Sequence, residues 1–438
     1  MKAQVAASVR SEIEILPREA LRELQLRKLQ QTLKRVCQSV PFYREQFGAI
    51  GFKPEDFISL DQLAALPVTR KADLWANYPF GMLAVPTDCL VRVHGSSGTK
   101  GRLTLVGYTR KDVDNWAELI ARSFVAAGAR PGMRVLNAYG YGLFTGGLGF
   151  HYGGEQLPAT VIPSSGGNTA RQVQLLDDLQ PEVLCCTPSF ALTIADLRER
   201  SRATKPLNLK IGIFGAEPWT EAMRHQIEQR LGLIATDTYG LSEAGGPGVA
   251  QECAQERNGL HVWEDFFLAE IMDPLTGAPL PPGQEGELVI TTLQKEALPL
   301  IRYRTGDITA LDDTPCSCGR THVRMRRVRG RCDDMLIIRG VNFYPSEIEN
   351  VLLKFDEVMP FYEIVVDRLG SMDRLNIRVE CLQKFIDIPS AGHELAAKLQ
   401  EAVVDHCAVR PEITLVPIGE LTRSEGKALR VTDKRPKK

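Results

Sequence analysis

The sequence has almost no net charge: 53 Lys and Arg against 54 Asp and Glu leave −1 over 438 residues. A global electrostatic attraction for nucleic acid or an anionic membrane is therefore excluded as the basis of its function. Long apolar runs are lacking too. The stretch from Val183 to Leu197 is interrupted by Pro188, Ser189 and Asp196, so no transmembrane helix is expected. The first residues carry no apolar core of signal-peptide type, and charges recur from Arg10 onward. Ten cysteines are too sparse for a disulfide scaffold in a chain of this length. The expectation is a cytoplasmic protein with no nucleic-acid or membrane partner.

What is present is ordinary globular material, 44% hydrophobic and 24% charged, in a chain long enough for two or more domains. Residues 11–37 place Ile13, Leu21, Leu24, Leu29 and Leu33 among Arg, Glu and Gln, and predict one long amphipathic helix. From Val91 to Ala250 short apolar runs alternate with helical stretches. Strands are predicted at 134–137, 159–162, 183–186 and 209–214, and helices at 110–127, 169–179, 189–200 and 221–231. That alternation predicts a mostly parallel sheet covered on both faces. From Leu260 to Val328 the texture turns to β, with strands expected at 267–271, 286–290 and 323–328. Beyond Arg331 a small α/β unit follows, of a size that folds alone.

Five local motifs stand out, each weak by itself. His94-Gly-Ser-Ser-Gly-Thr-Lys-Gly101 follows an expected strand at 90–93 and suits either a phosphate-cradling loop or a surface turn; it lacks the ending of a P-loop. Thr238-Tyr-Gly-Leu-Ser-Glu-Ala-Gly-Gly246 sets Glu243 beside a glycine turn, as a solvated carboxylate or as a Mg²⁺ ligand bridging to nucleotide phosphates. In Tyr303-Arg-Thr-Gly-Asp307 the aspartate either closes a β-turn or grips two ribose hydroxyls. Gly330-Arg-Cys-Asp-Asp-Met-Leu-Ile-Ile-Arg-Gly340 marks the change of texture, and Arg423-Ser-Glu-Gly-Lys-Ala428 near the end reads, by itself, as an exposed loop lysine.

Together, in this order, these motifs resemble the acyl-adenylate-forming (AMP-binding) superfamily. Val40-Pro-Phe-Tyr-Arg44, Asn77-Tyr-Pro-Phe-Gly81, Leu143-Phe-Thr-Gly-Gly147, Ile213-Phe-Gly-Ala-Glu217, Tyr239-Gly-Leu-Ser-Glu243, Gly259-Leu-His-Val-Trp-Glu264 and Met335-Leu-Ile-Ile-Arg-Gly-Val-Asn342 narrow the resemblance to the phenylacetate–CoA ligase family. The resemblance implies an α/β fold: a large multi-sheet amino-terminal domain, residues 1–332, with a β-rich subdomain at about 260–328, and a small mobile α/β domain, residues 333–438. It implies the conversion of an aryl carboxylate, ATP and CoA into an aryl-CoA thioester through an acyl-AMP. It also allows a homodimer.

Residue roles carry over as implications of the resemblance. Ser96, Ser97, Gly98 and Thr99 correspond to the phosphate loop, and Glu243 to the Mg²⁺ carboxylate. Gly215, Ala216 and Glu217 correspond to the segment along the adenine, flanked by Asp237 and Tyr239. Asp307 corresponds to the ribose clamp, with Arg331 its catalytic neighbour, Asp333 to the hinge, and Lys427 to the adenylation lysine. Lys100 and Arg102-Leu103 depart from the common wording of the loop but leave its glycines and Thr99 in place. By the same resemblance Tyr139, Phe144, Gly147, Ala216 and Pro247 line the acid pocket. Two aromatics facing small residues suit a flat ring, and no basic residue is evident for a second acidic group.

A structural Zn²⁺ is a separate expectation. Cys253 and His261, with Cys316-Ser-Cys-Gly319 after a long β stretch, form a Cys₃His set, against the alternative of four unrelated polar residues; His322 could replace His261. The run Arg320, Arg324, Arg326, Arg327, Arg329, Arg331 reads as a solvated face or a CoA-phosphate contact rather than a nucleic-acid patch. Two rival functions remain open at this point: an adenylation enzyme that loads a carrier-protein phosphopantetheine, and a catalytically silent acyl-ligand sensor.

Overall fold

The computed structural model describes residues 9–96, 103–201, 205–332, 334–339, 341–369, 372–422 and 430–435. Contacts divide the chain into two units. The first takes residues 1–186, 205–216 and 233–327; the second takes residues 187–204, 217–232 and 328–438.

The first unit is organised by a nine-stranded sheet. Its spatial order is Leu311–Asp312, Arg324–Met325, Leu260–Val262, Gly246–Glu252, Ile234–Leu241, Ile211–Gly215, Val183–Cys186, Arg134–Asn137 and Thr160–Ile162. The five strands from Ile234–Leu241 to Thr160–Ile162 run parallel, and the rest pair antiparallel. Buried Val135, Val183, Ile211 and Ile213 pack with Ile120, Phe124 and Phe150 into one core. A second, antiparallel sheet contains Phe267–Met272, Pro279–Leu280, Gly286–Thr292 and Tyr303–Thr309. The helix Arg18–Ser39 buries Leu29, Leu33 and Val36 against Leu298, Leu300 and Ile301. In the second unit Val358–Leu369 and Met372–Cys381 form the centre of a four-stranded sheet. The helices Pro345–Leu352 and Pro389–Cys407 contribute Ile348, Val351, Leu395 and Leu399 to its core.

Most elements lie within a few residues of the sequence expectation, and the departures have physical causes. The single helix expected over 11–37 is instead a 3-10 turn, Glu12–Ile15, followed by the helix Arg18–Ser39. Pro17 forces Leu16 into an extended conformation (ψ 142°), which a continuous helix cannot accommodate. The strand expected at 90–93 runs later, Arg92–Ser96, up to the first serine of the glycine loop. The strand expected at 323–328 shrinks to Arg324–Met325.

The helix Gly146–Gln156 is invisible to propensity, since glycine dominates its sequence. Tertiary packing overrides the preference. A Cβ at Gly153 would lie 2.2 Å from Ile120 and one at Gly154 2.5 Å from Val161, so only glycine lets this helix approach Arg110–Ala126 and the sheet edge.

Candidate functional site

The antiparallel hairpin of Arg92–Ser96 and Thr104–Tyr108 delivers Ser96 to the site. Ser96 Oγ donates to Glu243 Oε1 at 3.0 Å. Glu243 sits in the 3-10 turn Ser242–Ala244, buried to 5% exposure, and the next two residues, Gly245 and Gly246, have φ of 131° and 103°. A third group, which sequence reasoning missed, joins them: Lys71 Nζ lies 3.5 Å from the same Glu243 oxygen. A hydroxyl and an ammonium thus converge on one carboxylate oxygen. Ser97, Gly98 and Thr99 lie outside the described residues, as do Asp333 and Lys427.

The donor set fits Mg²⁺ bound with phosphate. One buried carboxylate beside a glycine turn matches an ion that keeps few protein ligands. Lys71 would bring a second positive charge to that carboxylate, which suits a polyphosphate and no neutral ligand.

The residues expected on the nucleotide side are equally ordered. Tyr239 OH donates to Asp307 Oδ2 at 2.6 Å. The Asp307 amide donates to Thr305 Oγ1 at 3.0 Å, and Thr305 Oγ1 donates to Leu288 O at 2.8 Å, which fixes Asp307 on the second sheet. Asp237 Oδ2 lies 3.4 Å from Arg327 Nε, and the Asp237 amide donates to Glu252 Oε2 at 2.8 Å. Gly215 ends a strand paired with Thr238, and Ala216 follows with φ 70°, a strained conformation for a residue with a Cβ. Glu217 belongs to the second unit. Its Oε1 accepts the Ser189 amide at 2.8 Å, at the amino end of the helix Pro188–Arg200. Arg331, half-buried, is also in the second unit.

Of the residues expected to line the acid pocket, Tyr139, Phe144 and Gly147 share the segment around Leu143. His94 Nδ1 and the Gly95 amide both donate to Leu143 O, at 3.0 and 2.9 Å, and this pins the segment that carries Phe144. Phe144 itself is 57% exposed. Tyr139 is buried and stacked on Phe150, ring centroids 5.0 Å apart and planes 7° from parallel, so one face of its ring is committed to the core. Gly147 donates its amide to Gly140 O at 3.1 Å. Thr145 Oγ1 lies 3.4 Å from Ser242 Oγ, and Pro247 O accepts the Trp116 indole N–H at 2.9 Å.

The cysteine cluster is the most complete constellation. Cys253, His261, Cys316 and Cys318 are all buried, and their ligand atoms lie within 4.8 Å of one another. Two sulfurs at about 2.3 Å from one tetrahedral Zn²⁺ would be about 3.8 Å apart; Cys253 and Cys316 Sγ are 3.7 Å apart. His261 Nδ1 donates to His322 O at 3.3 Å, which leaves Nε2 as the electron-pair donor, 3.3 Å from Cys318 Sγ. His322 is not interchangeable with it. Its Nε2 donates to Ile13 O at 3.2 Å and its Nδ1 accepts the Glu264 amide at 3.4 Å, while burial pulls its pKa down to about 4. Hydrogen bonds from Cys253 and Cys316, and then the nearby Arg320, hold the Cys318 thiol well below the ordinary thiol range.

Arg320 also anchors the 3-10 turn. Its Nε donates to Glu14 Oε2 at 2.8 Å with both side chains fully buried, and Glu14 Oε1 takes the amides of Arg10 and Ser11 at 3.0 Å each. Within the same arginine run, Arg324 pairs with Asp312 at 3.1 Å, Arg327 with Asp237, and Arg329 with Glu347 at 2.6 Å. Among the described residues no helix is long and apolar enough to cross a membrane.

The α/β architecture is that of an AMP-binding, acyl-adenylate-forming enzyme. The AMP-binding enzyme family model matches residues 143–294, and the AMP-binding enzyme C-terminal domain model matches residues 340–435. The phenylacetate-coenzyme A ligase of Thermus thermophilus is 51% identical over 433 residues, covering 96% of this chain and 97% of its own. That of Escherichia coli is 48% identical over 426 residues, covering 97% of each. The crystal structure of a 2-hydroxyisobutyryl-CoA ligase in the postadenylation state, complexed with R3-HIB-AMP, superposes with a TM-score of 0.90 at 32% identity, over 97% of this chain and 91% of the other. The chain belongs to the phenylacetate-coenzyme A ligase family.

Proposed function

We propose that the protein is an ATP-dependent aryl-acid CoA ligase acting on a phenylacetate-like monocarboxylate. In the first half-reaction a carboxylate oxygen attacks the α-phosphorus of ATP, forming acyl-AMP and releasing pyrophosphate. In the second the CoA thiolate attacks the acyl carbonyl, forming the thioester and releasing AMP. The observation that carries the reading is the Ser96–Glu243 hydrogen bond, which joins the start of the segment proposed to bind phosphate to the carboxylate proposed to hold Mg²⁺. Tyr239 and Asp307 hold the ribose, and Lys71 adds positive charge where the triphosphate lies. Mg²⁺ bound at Glu243 would neutralise phosphate charge and polarise the reacting phosphoryl group. The named relatives are CoA ligases, which favours CoA over a carrier protein and turnover over a silent sensor. ATP–pyrophosphate exchange across benzoates, phenylacetates, indoleacetate and aliphatic acids tests the reading: exchange is expected with aryl acids first, and none with any acid would refute it.

Tyr139, Phe144, Gly147, Ala216 and Pro247 are proposed to line the acid pocket. Phe144, being the exposed aromatic, is the one that substitution can remove without opening the core. Phe144→Ala should weaken transition-state binding of small aryl acids by about 1–3 kcal/mol and admit bulkier ones. An unchanged acid profile would move the pocket elsewhere.

Cys253, His261, Cys316 and Cys318 are proposed to hold one structural Zn²⁺, which takes no part in the chemistry. The site would tie the strands Gly246–Glu252 and Leu260–Val262 to the turn that carries Cys316 and Cys318, beside the Arg320–Glu14 pair. Protein purified without chelators should contain one Zn²⁺ per chain by elemental analysis. Cys316→Ser should lose it and unfold at lower temperature, because metal binding is coupled to folding. Absence of zinc in the unsubstituted protein would sink this proposal. The hinge at Asp333, about which residues 333–438 would turn between the two steps, and a homodimeric, cytoplasmic enzyme complete the reading; sedimentation separates dimer from monomer.

A further inference from the structure

Behind Pro247 stands a buried indole that the sequence did not single out. Trp116 is 3% exposed and donates to Pro247 O at 2.9 Å. Its six-membered edge rests against two glycines: a Cβ at Gly149, and equally one at Gly246, would come within 2.6 Å of Trp116 Cζ2. No side chain from either glycine could stand between the indole and the segments that carry Gly147 and Pro247. His94 meets the same indole edge-on at 5.7 Å, and Tyr108 stacks on it at 5.5 Å.

Trp116 also lines a cavity of about 30 Å³, which it shares with Pro247, Tyr108, Asp112, Gln294 and Lys295. Lys295 is 7% exposed, and among the described residues its ammonium has no hydrogen-bond partner. It lies 3.2 Å from the centre of the Tyr108 ring and 3.9 Å from Asp112 Oδ2. The Asp112 carboxylate accepts the amides of Thr109, Glu296 and Ala297, at 3.0, 2.7 and 2.9 Å, and its Oδ2 stands beyond hydrogen-bond distance of the ammonium. Burial lowers the Lys295 pKa to about 8, still cationic in the main at neutral pH.

We propose that Trp116 is a specificity-determining residue: its indole closes the deep end of the acid pocket and partitions it from the cavity that holds Lys295. The inference rests on the acid-pocket assignment made above. With the partition in place, an aryl acid extended at the para position has nowhere to put the extension. With it removed, pocket and cavity merge, and an acid bearing a distal carboxylate gains a buried cation as its partner.

The test is a ratio of kcat/KM values for two acids on the same protein, which cancels any difference in the folded fraction. In Trp116→Leu the ratio of 4-propylphenylacetate to phenylacetate should rise at least about tenfold over the unsubstituted enzyme. 1,4-Phenylenediacetate should gain as well, and adding Lys295→Met should remove that gain while sparing the one for the neutral acid. Trp116→Phe keeps a ring at the partition and should leave the ratio unchanged. If Trp116→Leu does not fold, Trp116→Met, which is unbranched at Cβ, reads the same ratio. A ratio within about twofold of the unsubstituted value would overturn the partition. Failure of the unsubstituted enzyme to use any aryl acid would instead refute the proposed function.

Discussion

Lys427→Ala is expected to lose acyl-AMP formation by about 10²–10³-fold or more while still converting supplied acyl-AMP and CoA into thioester. Attack of a carboxylate on the α-phosphate brings two anions together, and a cation must meet the charge that develops there. Lys427 ends the sequence Ser424-Glu-Gly-Lys427, and its long-stemmed ammonium suits that demand. On the proposed mechanism thioester formation needs no such cation at that place, because AMP would leave with its charge held by the segment assigned to the phosphates. Under the two-step account the terminal domain withdraws Lys427 between steps by turning about Asp333. Asp333→Pro, which restricts the backbone there, should show the opposite bias and spare the first step more than the second. Rapid-quench measurement of each half-reaction separates the cases. Equal damage to both by Lys427→Ala in well-folded protein would remove the proposed division of labour.

Glu243→Ala should abolish Mg²⁺-dependent acyl-AMP formation with little change in thermal unfolding. The carboxylate is the anchor that Ser96 and Lys71 both address, 3.0 and 3.5 Å from one oxygen. Its loss leaves Lys71 without that partner, but the Lys71 side chain is 31% exposed and can turn to water, so the folding cost stays small. Catalysis has no such relief, since the metal would lose its protein ligand beside the triphosphate. The check is pyrophosphate exchange as a function of Mg²⁺ concentration. Near-normal exchange in the folded variant would take Glu243 out of the role.

The sequence made the parallel core legible because its strands are buried on both faces and read as continuous apolar runs, such as Val183-Leu-Cys-Cys186. It made the chemical motifs legible because each is contiguous. What it concealed was long-range. Lys71 opens a short helix with Asp73 capping it, an unremarkable local pattern, and only the fold brings it to a carboxylate 172 positions further on. The choice between His261 and His322 depended on which backbone carbonyls each ring meets. The helix Gly146–Gln156 depends on contacts with Ile120 and Val161 that propensity cannot weigh. Trp116 and Lys295 passed as ordinary helix and loop residues until the structure put an indole against two glycines and an ammonium beside a cavity.

Product analysis with phenylacetate, ATP and Mg²⁺, supplied in turn with CoA and with a phosphopantetheinylated carrier protein, tests the central claim most directly. Mass spectrometry should find aryl-CoA and AMP formed one for one in the CoA reaction, and no acyl carrier protein in the other. AMP formation that yields thioester on the carrier protein alone, or no AMP with any aryl acid, would contradict it.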